Sequence, residues 1–377
     1  MKIAIISDVL GEENNGTTIT IKSLIENLKK RNHSVVVVSP YCTDEDGYHT
    51  LKTRNFYIFN KYLAKNGVEL AKPDKDILRK VISECDLAHI VLPFKTGKVA
   101  IKIAKELNVP CTTAFHCQPE NVSAHFGLKD FKPFNDFIYW RFLKKLYQHT
   151  QFIHCPTEFI ANELRNHGYN MDLRVISNGV DPAYKCKEVE KPKVLKDKFC
   201  ILFIARLSKE KRHDLLIEAV KQSKYKDKIQ IIFAGRGPLE NKLKKMGSCL
   251  PNPPIFGFYP KKKLVKIINY CDLYVHPSDI EIEAISCLEA ITCGLVPIIS
   301  DSNRSATNAF ALNNKCKFKR GNPTSLKDKI EYFIEHPHEL AKLKEDYKEY
   351  AKQFQIASCI DKMEEMFNDA IKFYTTF

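Results

Sequence analysis

Asp272-Leu-Tyr-Val-His-Pro-Ser-Asp-Ile-Glu281-Ile-Glu283-Ala-Ile-Ser-Cys-Leu-Glu289-Ala-Ile-Thr-Cys-Gly294-Leu-Val-Pro-Ile-Ile-Ser300 changes pattern twice along its length. Residues 273–275 form a short apolar run closed by Pro277, residues 280–291 suffice for about three helical turns, and residues 295–299 are apolar and β-branched again. This predicts a strand, a helix and a strand. Such a unit buries its strands in a parallel sheet and leaves the strand-to-helix turn at the carboxyl edge, where open α/β sheets bind ligands. That turn, residues 276–283, is crowded by Asp279, Glu281 and Glu283. Glu289 follows about 12 Å further along if the segment is helical at ~1.5 Å per residue. Acids in a first helical turn also complement the helix dipole, and Glu289 admits a solvated or ion-paired role, so this stretch alone leaves both readings open.

The 377-residue chain has room for two domains, each with its own core. A hydrophobic fraction of 44% excludes wholesale disorder. The net charge of +14 invites an anionic partner, but the excess is spread through both halves and names none by itself. The 13 cysteines include no C-x-x-C pair and no metal-like Cys/His grouping; they read as small buried hydrophobes in a reducing compartment. The N-terminus turns polar at Asp8, too soon for a signal sequence, and no apolar run reaches about 18 residues. The expectation is a cytoplasmic protein that is soluble or lies on a membrane without crossing it.

From the N-terminus, residues 2–7 predict a strand, residues 19–31 a helix through Ile21, Leu24, Ile25 and Leu28, and residues 34–39 a second strand. The Gly/Asn-rich loop between, with Gly16 and Thr17 at the helix start, offers free backbone N–H groups to an anion. Neither a dinucleotide nor a P-loop glycine pattern is present, and an ordinary strand-to-helix turn explains the loop equally well. Asp44-Glu45-Asp46 has a D-x-D form, but it stands in a turn beside Gly47, far from other ligand groups, and reads as a solvated loop rather than a metal site. Residues 110–115 predict a strand that delivers His116 to the ligand edge of the sheet, where a structural histidine is the alternative.

Between His125 and His149 aromatics and cations interleave, among them Phe126, Lys129, Phe131, Lys132, Trp140, Arg141, Lys144 and Lys145. Phe134, Phe137, Ile138 and Phe142 are expected on one helical face, as core or as a membrane or acceptor face rimmed by those cations. Thr157 caps a predicted helix over 157–166, and residues 175–182 read as a strand and a turn. Residues 184–198, dense in Lys and Glu and carrying Pro192, read as an interdomain linker.

A second α/β series follows. Residues 199–205 predict a strand, and Arg206, Lys209, Lys211 and Arg212 open the helix 214–221. Cations and helix N–H dipoles together favour a phosphate there. Gly235-Arg-Gly237-Pro238 lacks the third glycine of a dinucleotide fingerprint and reads as a tight turn. Helices are expected over 261–269 and 326–335, and a final one near 356–373 with Ile360, Met363, Met366, Phe367 and Ala370.

In this order and spacing the pieces resemble a family 4 retaining glycosyltransferase of the GT-B fold. They are the N-terminal Gly/Asn loop, His116, residues 175–181, Arg206 with Lys211, Gly235-x-Gly237-Pro238, and Glu281-x7-Glu289 followed by Ala290 and residues 294–297. The resemblance extends to the bacterial diacylglycerol glucosyltransferase branch. It implies two Rossmann-like domains facing across a cleft: an N-terminal acceptor domain over 1–183, a linker over 184–198, and a donor domain over 199–355, with the C-terminal helix, about 356–377, packing back on the first domain.

By the same resemblance Arg206 and Lys211 face the donor diphosphate, Glu281 the transferred sugar and Glu289 the ribose. His116 stands beside the sugar, and Gly16 near the diphosphate or acceptor. Ile282, Glu283, Ala284 and Gly235 complete the donor site, with Glu281, His116, Arg206 and Lys211 the catalytic set. Many members carry glycine where this chain has Ile282 and Ala284, so the sugar is not specified by the motif. The expected reaction moves a hexose from UDP-glucose, without a metal, to diacylglycerol or its monoglycosyl derivative at an anionic membrane surface; no nucleic acid is expected as a partner. The alternatives are a soluble or polyprenyl-linked acceptor, an epimerase on the same fold, and a nucleotide-sugar-binding protein without turnover.

Overall fold

A computed structural model describes residues 1–10, 16–40, 47–54, 70–124, 127–128 and 130–376. Residues 11–15 of the first loop, Asp44-Glu45-Asp46, His125, Phe126 and Lys129 lie outside them. The chain forms two compact units, Met1–Asn178 with Ala357–Phe377, and Gly179–Ile356.

The first unit runs β1 (Lys2–Ile6), α1 (Gly16–Lys30), β2 (Ser34–Ser39), β3 (Tyr48–Thr50), α2 (Lys75–Ser83), β4 (Leu87–Ile90), α3 (Lys95–Glu106), β5 (Cys111–Ala114), α4 (Pro119–Ala124), α5 (Lys132–Lys145), β6 (Phe152–Cys155), α6 (Glu158–Asn166) and β7 (Asp172–Val175). All seven strands are parallel, in the order β3-β2-β1-β4-β5-β6-β7. Helices on both faces require strands that are apolar throughout, and β2, with Val35 to Val38 all buried, meets that demand. The strand order reverses between β1 and β4. There Asp8, just past β1, accepts from Thr96 N at 3.2 Å and Gly97 N at 3.4 Å in the first turn of α3. Thr157 caps α6 as its hydroxyl accepts from Ile160 N at 3.3 Å.

The C-terminal helix, Ile356–Thr376, packs into this unit from residue 357 onward. Cys359, Ile360, Met363, Met366, Phe367 and Ala370 are buried, one continuous stripe at helical spacing. Arg31 pairs with Glu364 at 2.7 Å and Arg174 with Asp369 at 2.8 Å. Such partly exposed pairs contribute about 0–1 kcal/mol each, against about 1.5–3 kcal/mol per buried large apolar side chain, so the stripe holds the helix and the pairs set its register.

The second unit runs β8 (Phe199–Ile204), α7 (His213–Gln222), β9 (Ile229–Ala234), α8 (Glu240–Gly247), β10 (Ile255–Gly257), α9 (Lys261–Tyr270), β11 (Leu273–His276), α10 (Ile285–Thr292), β12 (Pro297–Ser300), β13 (Lys317–Phe318), α11 (Pro323–Glu335) and α12 (Pro337–Ala351). Its parallel sheet has the order β10-β9-β8-β11-β12-β13 and reverses between β8 and β11. Residues 184–198 belong to its fabric: Tyr184 and Leu195 are buried in the core, and Lys191 Nζ donates to Asp272 at 2.5 Å. The G-x-G turn is a close approach of backbones. A Cβ on Gly235 would stand 1.9 Å from Ala205 O, so only glycine lets the loop after β9 lie against the loop after β8.

Two expectations change. The helix expected over 280–291 begins only at Ile285, because Glu281 pairs as an isolated parallel bridge with Ser305 and Ala284 takes a left-handed conformation at φ 60°. The 12 Å spacing of Glu281 and Glu289 along one helix therefore does not apply. The aromatic face on α5 also divides. Ile138 and Phe142 are buried and Phe134 is half-buried, but Phe137 turns outward with Trp140. A helix advances about 100° per residue, so Phe137 aligns with Trp140, Arg141 and Lys144 rather than with Ile138.

Candidate active site

The second unit brings its site together where the strand order reverses, at the carboxyl ends of β8 and β11. The β8 loop carries Arg206 and Lys211, and the β11 loop carries Asp279 and Glu281. The two loops are tied by Asp279 N donating to Glu210 O at 2.8 Å. Glu281 is fixed from behind by its own N–H to Arg304 O at 3.4 Å and by Ala306 N to its carbonyl at 2.9 Å.

Its carboxylate is the focus. Oε1 accepts from Lys211 Nζ at 2.6 Å and from His276 Nε2 at 3.0 Å, and His276, the last residue of β11, is fully buried. Burial pushes the Glu281 carboxyl up, but Lys211 and His276 outweigh it and hold the group at about 2. It is ionised at any physiological pH.

The other expected residues take different places. Arg206 lies 3.6 Å from Glu210, whose carboxylate also accepts from Ser208 Oγ. Arg212 is drawn to Asp214 at 2.9 Å and to buried Asp279 at 3.9 Å, and Arg320 donates to Asp279 at 3.1 Å, so part of the positive charge near the turn is structural. Glu283 is buried, whereas Ile282 and Ala284 are half-buried. Glu289, on α10, is bonded by the Tyr184 hydroxyl rather than joining the Lys211 cluster, and burial raises its carboxyl to about 8. Gly235 serves the backbone approach described above.

His116, Gly16 and Thr17 belong to the first unit. Gly16 is exposed at the start of α1, and a Cβ there would meet nothing within 4 Å. His116 lines a cavity of about 20 Å³, together with His89, His154, Asn178 and Met363, room for about one water. The His154 ring stands edge-on to His116 at 5.3 Å and donates from Nε2 to Ile176 O at 2.7 Å. Burial lowers His89 to about 3, His154 to about 4 and His116 well below the ordinary imidazole range. All three rings are neutral at physiological pH, so His116 presents no cation there.

Sequence reasoning missed His276, although the signal was present: the strand-end argument applied to His116 applies equally to it. It also missed Asp8, Tyr184 and the Asp279–Arg320 pair, whose partners lie too far along the chain for spacing to reveal. Among the described residues no group of three or more His, Cys, Asp or Glu could hold a metal ion. Nor is any of their helices long and apolar enough to cross a membrane.

The turn thus gathers cations around an ionised carboxylate. Residues 14–184 match the model of Glycosyltransferase Family 4, and residues 186–354 that of Glycosyl transferases group 1. The chain belongs to the family 4 glycosyltransferases. Its two Rossmann-like domains are those of the GT-B fold. This glycosyltransferase is 24% identical over 332 residues to the alpha-monoglucosyldiacylglycerol synthase of Streptococcus pneumoniae, covering 82% of this chain and 73% of that one. The catalytic domain of cholesterol-alpha-glucosyltransferase from Helicobacter pylori is 39% identical over 42% of this chain and 99% of its own, with a TM-score of 0.41. Anabaena Alr3699/HepE, solved in complex with UDP-glucose, aligns over 98% of this chain and 100% of its own, with a TM-score of 0.76 at 16% identity.

Proposed function

We propose that this glycosyltransferase moves glucose from UDP-glucose, with retention at the anomeric carbon, to a membrane lipid such as diacylglycerol or its monoglycosyl derivative. The observation that carries the donor site is the Lys211–Glu281–His276 cluster at the strand-order reversal of the second unit. Breaking a glycosyl–diphosphate bond leaves both electrons on the phosphate and builds positive charge on the sugar. The acceptor oxygen then bonds to the anomeric carbon, and its proton leaves for a base or a phosphate oxygen. Preorganised cations at the departing phosphate are the main lever on that barrier.

Arg206 and Lys211 take that duty, and Glu281, ionised and fixed, accepts from sugar hydroxyls. Ile282, Glu283 and Ala284 line the sugar side, and Glu289 takes the ribose. In the first unit, His116 serves the sugar as a neutral hydrogen-bonding group, and Gly16 and Thr17 offer α1 N–H groups to phosphate or acceptor. UDP-glucose as donor is supported by the complex of a protein of the same fold, and the lipid acceptor by the S. pneumoniae relative named for that activity.

A second observation favours a lipid. On α5, Phe137 and Trp140 are about half exposed with their rings stacked 5.9 Å apart, and Arg141, Lys144 and Lys145 are exposed beside them. Aromatics that reach the headgroup level beside cations that meet anionic lipid are the two components of an interfacial helix. The test is incubation with labelled UDP-glucose, UDP-galactose and GDP-mannose against diacylglycerol, monoglucosyldiacylglycerol, a sterol and soluble saccharides. A labelled α-glucosyl lipid is expected; transfer to the soluble saccharides alone would overturn the acceptor, and label from another donor alone would overturn the sugar.

A further inference from the structure

Glu281 Oε1 has two donors of different kinds. Lys211 is a long flexible cation on the loop after β8, its side chain 20% exposed; His276 is a rigid ring at a strand end, wholly buried. Behind the ring stands a chain of short contacts. His276 Nδ1 lies 3.2 Å from Tyr274 Oη, Tyr274 Oη lies 3.3 Å from Ser286 Oγ, and Ser286 Oγ donates to Ile204 O at 2.9 Å. The chain thus links the last residues of β8 and β11 to the first turn of α10.

The direction of the protons follows from the ends. The Glu281 carboxylate is ionised and accepts, so Nε2 carries hydrogen. The Ile204 carbonyl only accepts and takes the single proton of Ser286. The Tyr274 hydroxyl between them turns its own proton either to Nδ1, leaving a neutral imidazole, or to Ser286, in which case Nδ1 is itself a donor. In both arrangements Nε2–H stays on Glu281. Lys211, by contrast, is the cation assigned above to the diphosphate, and an arriving diphosphate competes for it with the carboxylate.

We infer that His276 is the positioning residue of the donor site: it holds Glu281 against the sugar while Lys211 turns to the diphosphate. The inference rests on the donor-site reading given above. With one oxygen fixed by a buried ring, the other is left for sugar hydroxyls, and the carboxylate does not follow the lysine.

The experiment compares His276→Gln with His276→Asn. Glutamine places an amide N–H near the position of Nε2, within reach of Glu281, whereas asparagine places it near Nδ1, where it reaches only Tyr274. With UDP-glucose as donor, His276→Asn is expected to lower kcat about 10- to 100-fold, the factor carried by a lost hydrogen bond to a charged group, and His276→Gln to restore most of it. UDP, which has no sugar, should bind both variants within about twofold of wild type, since nucleotide binding makes no use of Glu281. Native kcat in His276→Asn, or equal loss in both variants, overturns the inference, as does a parallel loss of UDP affinity. If the asparagine variant does not fold, His276→Leu, of similar volume and without a donor, replaces it: a fall in kcat with UDP affinity unchanged supports the positioning role, and native kcat overturns it. Glu281→Ala separates the two readings. Native turnover in that variant removes the donor-site assignment altogether, whereas loss there with native turnover in His276→Asn removes this inference alone.

Discussion

Lys211 Nζ donates to Glu281 Oε1 at 2.6 Å, a bond between residues 70 apart in sequence that joins the loops after two adjacent strands. Against the opposing effect of burial, Lys211 together with His276 holds Glu281 at about 2, below the ordinary 4.5. A carboxyl lowered on folding adds stability that is fully present above the unfolded value and is lost as pH falls through the folded one. Glu281→Gln is therefore expected to be less stable by about 1–3 kcal/mol at pH 7, with the difference shrinking below about pH 4.5. Urea unfolding of both proteins between pH 3 and 7 measures it; a constant difference would show that the ion pair contributes nothing.

Arg206→Ala and Lys211→Ala are each expected to lower kcat/KM at least about 100-fold, the scale of one lost transition-state donor. Initial rates with a labelled nucleotide sugar give the comparison. A near-native rate in either variant would place the leaving group elsewhere.

Glu289 follows the opposite sign. Its carboxyl is raised from the ordinary 4.5 to about 8 by burial, so the folded protein keeps a proton that the unfolded chain has already lost. Stability contributed by the protonated form falls as pH rises between about 4.5 and about 8. Glu289→Gln, neutral throughout, is expected to lose less stability across that window and to exceed wild type by about 1–3 kcal/mol at pH 8.5. Thermal melts at pH 5, 7 and 8.5 decide it.

On α5, the paired changes Phe137→Ala with Trp140→Ala, and Lys144→Glu with Lys145→Glu, are expected to weaken binding to anionic vesicles at least about tenfold each, given about 1 kcal/mol per cation near such a surface. Unfolding midpoints should hold within about 0.5 kcal/mol because these side chains are exposed. Unaltered co-sedimentation with the vesicles would remove the membrane face.

Ala284 stands at φ 60°, in the left-handed region where a Cβ costs about 1–2 kcal/mol, just ahead of α10. Ala284→Gly is therefore expected to be neutral or stabilising by up to about 1 kcal/mol, the reverse of glycine in a helix interior. A loss of stability in equilibrium unfolding would mean that the methyl packs better than its backbone suffers.

Much of the architecture was legible along the chain. The runs that became β1, β2, β8, β9 and β11 are short, apolar and β-branched, and α7, α9, α11 and the C-terminal helix carry their apolar residues at helical spacing. The segments that misled are those where tertiary contacts override local pattern. Residues 280–284 have helix-forming composition, yet the bridge from Glu281 to Ser305 pulls them out of the helix. The basic, proline-bearing stretch 184–198 lacks periodicity, yet Tyr184 and Leu195 reach the core while Val194 stays exposed.

The site shows the same division. Residue type and position were enough to single out Arg206, Lys211 and Glu281 as candidates, because cations at a helix start and acids at a strand end are local features; Glu289 and the role of each residue came from the family resemblance. That Lys211 and His276 meet on one oxygen of Glu281, while Glu289 turns to Tyr184 and keeps its proton to about pH 8, depends on which strands lie side by side and how deeply each carboxyl is buried. Charge state is set by burial and by partners far away in sequence, and neither exists until the sheet has closed around them.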